Sequence, residues 1–281
     1  MSLSYCTNIH PGESWAEVEA QLRRHLPAVK ARACPDRVMG VGLRLSAAAA
    51  LTLERPERLA AFRRFLDEHD LEVVTLNGFP FGAFHGRRVK DEVYRPDWRD
   101  PRRLDYTLRL ARLLDALLPP GRAGCVSSVP IGWRRDFQGA EDVGAALSML
   151  ARCAEELDRL AQTGGRPIVL ALEPEPGCVL ETTAEAVALI ADHLPDRPIG
   201  LCLDACHAAV EFEDPAETAR LPRAAGVTIG KVQVSAGIEA PATPEAAARL
   251  AEFAEDVWLH QVVEADSEGG LRRFDDLPQA L

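Results

Sequence analysis

The sequence predicts an α/β protein with the architecture of a (β/α)8 TIM barrel. Short apolar runs of strand length alternate along the 281 residues with longer amphipathic runs rich in Ala, Leu, Arg and Glu. This alternation is typical of a parallel sheet whose strands are connected by helices. Eight strand-like runs favour a closed barrel over an open doubly wound sheet. No G-x-G-x-x-G motif follows a strand, so a dinucleotide-binding fold has no support.

Each predicted strand is a mainly apolar run bounded by turn or polar residues. The predicted strands are 3–9, 39–45, 72–77, 124–129, 168–173, 199–204, 230–234 and 257–263. After the eighth of these, only residues 265–281 remain, which is too short for a helix that would cover a barrel strand. We therefore expect either a barrel that tolerates this gap or a chain that lacks its C-terminal strand and helix.

The intervening helices are predicted from amphipathic runs and from their start signals. They are 14–31, 56–69, 101–118, 140–162, 182–193, 215–225 and 244–254. Ser14 with Glu17, and Thr182 with Glu185, have the spacing of a capping box at a helix N-terminus. The chain shows no linker and no low-complexity segment, so residues 1–281 are expected to form one TIM-barrel domain.

Composition argues against several broad classes of function. The net charge is −11, so duplex nucleic acid, which is bound chiefly through cationic contacts to phosphate, is not an expected partner. No apolar stretch approaches the roughly 20 residues of a membrane span, and no secretory signal is visible. The seven cysteines are scattered and none forms C-x-x-C, which indicates free thiols in a reducing cytoplasm. A small-molecule metabolite is the expected partner, and both a monomer and a homo-oligomer are compatible with the sequence.

Two successive strands end on carboxylates. The fifth strand runs into Glu173 and Glu175, and the sixth ends in Asp204 with His207 three residues later. Because the active site of a TIM barrel lies at the C-terminal ends of its strands, these groups are expected to converge. A buried strand that ends in an acidic group is costly unless the charge has a partner, and a divalent metal ion is one such partner. Carboxylate, imidazole and amide oxygen suit Mg²⁺, Mn²⁺ or Zn²⁺ without choosing among them.

The remaining polar groups at the predicted strand ends complete the candidate site. The metal-ligand candidates are Glu173, Asp204, Gln233 and Glu264. The catalytic candidates are His207, which would bind substrate or metal, and Lys231 and Glu175, which would assist proton transfer. Strand alternation places Lys231 on the same face as Gln233. Ordinary structural roles stay open as alternatives: a cap for Asp204, a loop charge for Glu173 and a counter-ion for Lys231.

A second set of candidates lies at the ends of the first three strands, where the residues are expected to bind substrate. These are His10, Arg44, Asn77 and His85. His85 belongs to the long segment 79–103, and a long loop at a barrel mouth often acts as a lid. The sequence therefore makes 79–103 a candidate lid at the barrel mouth.

At these residues the sequence resembles the xylose-isomerase-like TIM-barrel superfamily, which includes sugar isomerases and epimerases, inosose dehydratases and endonuclease IV. The superfamily places an acid after strand five, an acid with a histidine three residues later after strand six, a polar ligand on strand seven and an acid on the last strand. The residues that match the first three stations are Glu173, Asp204, His207 and Gln233. The resemblance implies a barrel with a divalent-metal site. Gln233 departs from the His or Asp usual on strand seven.

Five segments look more narrowly like metabolite-traffic proteins of the EboE type. These are 5–15, 75–80, 172–177, 203–207 and 231–235, and the resemblance covers nearly the whole chain. It implies a link to the export of a natural-product precursor. Proteins of this type are longer and carry a further histidine-containing strand, which implies that 257–263 extends strand seven and that the last barrel strand is absent.

Three hypotheses about function follow. The leading one is a metal-dependent, sugar isomerase- or epimerase-like barrel that acts on a small polyhydroxylated or carbonyl metabolite, where the ion would polarise a carbonyl and an adjacent hydroxyl. The second is a non-catalytic barrel that binds or hands over a metabolite in an export pathway, favoured by Gln233 and by the incomplete C-terminal region. The third is an endonuclease IV-like phosphodiesterase, against which the net charge of −11 argues.

Overall fold

The computed structural model describes residues 3–86 and 88–281, so Arg87 in the predicted lid lies outside the described residues. Seven parallel strands form one sheet in which every strand pairs with the next along the chain. They are β1 (Ser4–Cys6), β2 (Met39–Arg44), β3 (Leu71–Asn77), β4 (Gly124–Ser128), β5 (Ile168–Leu172), β6 (Ile199–Asp204) and β7 (Thr228–Gln233). The sheet curls round, so that strands far apart in its order face each other: Lys231 Nζ on β7 donates to Ser127 Oγ on β4 across the interior at 3.1 Å. The predicted barrel class is therefore confirmed.

Helices connect the seven strands along the outer face of the sheet, and the last two helices, which are short, follow β7. They are α1 (Trp15–Ala33), α2 (Ala47–Leu53), α3 (Pro56–Glu68), α4 (Pro101–Leu117), α5 (Ala140–Gln162), α6 (Thr183–His193), α7 (Ala205–Val210), α8 (Pro215–Ala224), α9 (Pro244–Leu250) and α10 (Leu277–Ala280). Both predicted capping boxes form, at Ser14 and at Thr182. Within the described residues, no helix combines the length and the apolar character that crossing a bilayer requires.

The apolar core lies between the sheet and the helices, whereas the barrel interior holds small side chains. Leu43, Leu76 and Leu170 are completely buried in the outer core. Cys125, Ala171 and Cys202 form a separate buried cluster inside the barrel. These small side chains leave room in the interior for the side chain of Lys231, which crosses it to Ser127.

A β-bulge decides which residues of β7 enter the barrel. Leu201 pairs with Ile229, but Cys202 pairs with Lys231, so the strand carries one extra residue at Gly230. A bulge of this kind changes which face of the sheet the following side chains occupy. It sets Lys231 beside Cys202 and Gln233 beside Asp204.

The prediction that 257–263 forms the eighth barrel strand is wrong. β8 (Val262–Ala265) pairs with β9 (Leu271–Phe274) in an antiparallel hairpin separate from the barrel sheet. The turn between them is stabilised by Asp266, whose Oδ1 accepts the backbone N–H groups of Glu268 and Gly270. Within residues 3–86 and 88–281, the barrel sheet ends at β1 and β7 with no strand between them. The turn at Asp266 thus pairs β8 with β9, although the apolar run 257–263 suggested a strand of the barrel.

Candidate metal centre

Glu173 follows the last residue of β5 and is 5 % exposed. Its backbone N–H donates to the carbonyl of Ser128 on the neighbouring strand at 3.1 Å. Its Oε1 accepts the Gln233 amide at 2.5 Å, while its Oε2 is buried and has no partner among the described residues. Burial raises the pKa of Glu173 to about 7, although His207 and Lys231 act in the opposite direction. A buried carboxylate oxygen without a partner is costly, so this atom is suited to a ligand.

Asp204 ends β6 and serves as both cap and candidate ligand. Its Oδ1 accepts the backbone N–H groups of Cys206 at 2.8 Å and His207 at 3.3 Å, and also the hydroxyl of Ser235. Its Oδ2 accepts the Gln233 amide at 3.1 Å. The capping alternative is therefore confirmed for one oxygen, while the other oxygen belongs to the centre.

His207 is oriented by the chain that follows Glu173. Its Nδ1 lies 3.0 Å from the carbonyl of Pro174, and because a carbonyl can only accept, this nitrogen carries the proton. In the neutral ring Nε2 then holds the free lone pair, while the protonated Nδ1 lies 4.0 Å from Glu173 Oε1. Burial lowers the pKa of His207, but the carboxylates of Glu175, Asp204 and Glu173 outweigh it and the net shift is upward.

Glu173, Asp204 and His207 converge to form what we call the acidic triad. One ligand atom from each lies within 4.8 Å of the others, the only such group of three His, Cys, Asp or Glu residues in the described chain. Ligand atoms around a divalent ion each lie about 2.0 to 2.6 Å from it, so they stand a few ångströms apart. Two carboxylates, one imidazole and a buried carboxylate oxygen without a partner therefore fit a divalent ion.

Glu175 is held beside the triad by two residues that the sequence analysis did not identify. Its Oε1 accepts the Tyr94 hydroxyl at 2.7 Å and the Gln261 amide at 2.8 Å. Tyr94 is itself stacked on Trp133, with ring centroids 4.6 Å apart. The two donors come from sequence positions far from Glu175, and no motif marked them. The catalytic candidate Glu175 thus has a defined position.

The turn that carries Glu175 depends on a glycine packed against Trp133. Gly177 has φ +80°, and a Cβ at this position would overlap the indole ring. Gly269 has a similar φ of +84° but nothing within 4 Å of the corresponding position. We expect Gly177→Ala to lower the free energy of unfolding by about 3 kcal/mol through backbone strain and overpacking, against about 1 kcal/mol for Gly269→Ala, which adds strain alone. Denaturant unfolding measures both, and equal losses would contradict the contact with Trp133.

The predicted substrate-binding residues lie at the ends of β1–β3 and engage neighbouring loops. The guanidinium of Arg44 is already occupied by the protein: it donates to the Gly12 carbonyl at 2.8 Å and pairs with Glu13 at 2.9 Å. His10 bonds the Tyr5 hydroxyl at 3.0 Å. The Asn77 side chain accepts the Phe79 N–H at 2.9 Å, and the His85 ring stands edge-on to Trp258. In the described chain, no hydrogen bond or ion pair joins these four residues to the acidic triad.

Glu264, the remaining metal-ligand candidate, lies on β8 in the hairpin. Its side chain is 43 % exposed and its carboxylate stands 3.9 Å from Arg272. The structure does not bring it into the acidic triad.

Residues 255–281, which we call the C-terminal strap, run along the rim of the barrel mouth. Lys90 pairs with Asp276 of the strap at 2.7 Å, and the Trp258 indole donates to the carbonyl of Phe84 at 2.9 Å. On the other side, Arg273 pairs with Glu211 at 2.5 Å. The strap therefore joins the loops after β3 and β6, and Gln261 fastens it to Glu175 between them.

Fold and site together define a parallel barrel with a candidate divalent-ion centre at the C-terminal ends of its strands. Residues 42–257 match the model of the family described as xylose isomerase-like TIM barrel. Since this match covers more than half of the chain, the chain belongs to the xylose isomerase-like TIM barrel family. A search of curated proteins found no match.

Solved structures of sugar epimerases share the fold. D-allulose 3-epimerase from Methylomonas sp. is 17 % identical with a TM-score of 0.54, over 92 % of this chain and 85 % of that one. D-psicose 3-epimerase from Clostridium cellulolyticum H10 is 13 % identical with a TM-score of 0.54, over 96 % and 88 %. The 3-keto-D-glucoside 4-epimerase YcjR from E. coli is 15 % identical with a TM-score of 0.51, over 90 % and 98 %. At these identities the similarity concerns the fold.

Proposed function

We propose that the chain is a metal-dependent, sugar isomerase- or epimerase-like protein that acts on a small polyhydroxylated or carbonyl metabolite. The observation that carries the proposal is the acidic triad, in which a buried oxygen of Glu173 has no partner. The triad lies at the C-terminal ends of β5 and β6, where TIM-barrel active sites are found. The structural similarity to sugar epimerases supports the choice of substrate class.

In this proposal the residues divide into ligands and proton carriers. Glu173, Asp204 and His207 would hold the ion, joined by the amide oxygen of Gln233. A bound ion would polarise a substrate carbonyl and its neighbouring hydroxyl. Glu175 is placed by Tyr94 and Gln261 and would exchange a proton with a substrate carbon or hydroxyl. Lys231, donating to Ser127 below the triad, would supply positive charge to Glu173 from inside the barrel.

The test is a titration of the purified, chelator-treated protein with Mn²⁺, Mg²⁺ or Zn²⁺, followed by an epimerase assay. Calorimetry should detect one ion per chain, and the ion-loaded protein should exchange a C–H proton of a ketose or keto-glycoside with solvent deuterium. Proton exchange reports enolisation even when the equilibrium hides net turnover. Lack of binding by all three ions would refute the proposal.

Ion affinity is expected to fall as the pH falls below 7. The pKa of Glu173 is raised to about 7, so below this pH the ion must displace a proton from the carboxyl group, whereas above it the carboxylate is already free. His207, whose pKa is also raised, must lose its proton too, so the apparent Kd should rise at least about tenfold per pH unit between pH 7 and 5.5 and level off above pH 8. Calorimetric titrations with Mg²⁺ across this range measure the slope, and a flat profile would exclude Glu173 as a ligand.

A second candidate function is a non-catalytic barrel that binds and transfers a metabolite, as the resemblance to EboE-type metabolite-traffic proteins suggests. The observation that favours it is Gln233, whose neutral amide stands where a stronger ligand is usual and bonds both carboxylates. In that case a sugar or inosose would bind with a measurable Kd, but its C–H protons would not exchange with solvent. The same calorimetry and deuterium-exchange experiments therefore separate the two functions.

A further inference from the structure

The side-chain amide of Gln233 lies between the two carboxylates of the acidic triad. Its Nε2 donates to Glu173 Oε1 at 2.5 Å and to Asp204 Oδ2 at 3.1 Å. One NH2 group thus uses both of its hydrogens on two negative charges, and bonds of this charge-assisted kind are the strong ones. This geometry follows from the bulge at Gly230, which sets Gln233 opposite Asp204 in the strand register.

The direction of the amide follows from the chemistry of its neighbours. With the opposite orientation, Oε1 would face Glu173 and Asp204, bringing three acceptors together without a hydrogen between them. The nitrogen therefore faces the carboxylates whenever both are ionised and no cation separates them. In this state the amide offers positive hydrogens at the place where a cation would otherwise neutralise the pair.

Resting on the proposed metal-dependent function, we propose that Gln233 is a two-state clamp: its amide nitrogen bridges Glu173 and Asp204 in the ion-free protein, and the amide must reverse before an ion binds. An amide N–H cannot ligate Mg²⁺, Mn²⁺ or Zn²⁺, whereas an amide oxygen can. With an ion bound, the Gln233 amide would therefore give up both bonds of the clamp and present Oε1 to the centre.

The clamp explains how two carboxylates can remain together without an ion. Like charges at this distance repel each other, and burial increases the cost. His207 and Lys231 both offset part of the charge on Glu173, but His207 Nδ1 stays 4.0 Å from Glu173 Oε1 and the Lys231 ammonium donates to Ser127, so neither side chain bonds a carboxylate in the described chain. Within the described residues, Gln233 is the side chain that bonds both acids. A bound ion would supply at this place the positive charge that the amide hydrogens supply in the ion-free protein.

The stability of the ion-free protein tests the first state. Gln233→Met keeps the length of the side chain but removes both donors, so the melting temperature in chelator should fall by about 5 °C or more. Gln162→Met, at an exposed position of α5, is the matched control and should leave the melting temperature unchanged. An unchanged melting temperature for Gln233→Met would overturn the clamp.

Side-chain amide NMR tests the reversal. In protein labelled with ¹⁵N-glutamine, the Gln233 NH2 pair, identified by its loss in Gln233→Met, should be shifted downfield and exchange slowly with solvent in chelator. Saturation with the diamagnetic ion that binds in calorimetry, Mg²⁺ or Zn²⁺, should return it to the position and exchange rate of a free amide. The Gln261 pair, which donates to Glu175 and Tyr94, is the internal control and should keep its protection.

The outcomes separate the clamp from the proposed function. If calorimetry shows ion binding and the Gln233 pair stays shifted and protected, the clamp is overturned and the metal-dependent function stands. If no ion binds at millimolar concentration, the proposed function is overturned and the reversal with it. Loss of protection in step with calorimetric saturation supports both.

Discussion

Replacing Glu173 with glutamine is expected to weaken ion binding by about 100-fold or more without unfolding the protein. The substitution preserves shape and the acceptor for the Gln233 amide but removes the buried charge that would hold the ion. Changing a group that only supports a metal ligand commonly costs 10- to 100-fold in affinity, so loss of this carboxylate should weaken Kd by about 100-fold or more. Calorimetry at pH 8, where Glu173 is ionised, measures the change.

Although Glu173→Gln weakens ion binding, it is not expected to destabilise the ion-free protein at pH 8. The pKa of Glu173 is raised to about 7 in the folded protein, so the folded state holds this proton more tightly than the unfolded chain does. The contribution of this proton to the free energy of unfolding is therefore fully present below the pKa of Glu173 in the unfolded chain, and it is lost as the pH rises towards 7. Glu173→Gln removes this loss, and its melting temperature at pH 8 in chelator should equal or exceed that of the wild type.

Glu175→Gln is the matched control, because it removes a neighbouring carboxylate that lies outside the acidic triad. Its ion affinity should stay within about tenfold of that of the wild type, because Glu175 lies next to the ligands but does not bind the ion itself. If Glu173→Gln and Glu175→Gln weakened binding equally, the ion would not be held by the triad. If Glu173→Gln unfolded the protein, the Glu173 carboxylate would be needed for folding, although one of its oxygens has no hydrogen-bond partner among the described residues.

The convergence of Glu173, Asp204 and His207 could be predicted because it follows from topology. Parallel strands in sequential order bring their C-terminal ends to one rim, so acids that end β5 and β6 must meet there. The alternation of apolar and amphipathic runs predicted these strands for a similarly general reason. The strands and the convergence of the acidic triad could therefore be predicted from the sequence, because they depend only on the periodicity of apolar residues and on strand order.

Contacts between loops were not accessible in this way. Tyr94 and Gln261 reach Glu175 from the loop after β3 and from the C-terminal strap, and no local pattern records such pairs. Arg44 illustrates the converse, since its place at a strand end suggested substrate binding while Gly12 and Glu13 already engage its guanidinium. Hydrogen-bond partners in loops depend on tertiary packing.

The C-terminal strap should detach or loosen when Arg273 is replaced with alanine. Its guanidinium makes three hydrogen bonds to Glu211, at 2.5, 3.0 and 3.2 Å, and lies 3.5 Å from Glu181. The Glu211 side chain is 0 % exposed, so the variant leaves a buried carboxyl group without its cation. Removing one partner of a buried pair costs about 3–5 kcal/mol, and since Arg273 is itself partly exposed we expect about 2–3 kcal/mol.

Arg272→Ala is the matched control for this prediction, since Arg272 is the neighbouring arginine on the same strand of the hairpin. It is 74 % exposed and lies 3.9 Å from Glu264, and an exposed pair contributes at most about 1 kcal/mol. Denaturant unfolding of both variants at pH 8 measures the difference, and hydrogen exchange should show faster opening of the strap in Arg273→Ala alone. The double variant Arg273→Ala/Glu211→Gln should recover part of the loss, because it removes the uncompensated charge. Equal effects of the two arginine substitutions, or no recovery in the double variant, would show that Glu211 does not anchor the strap.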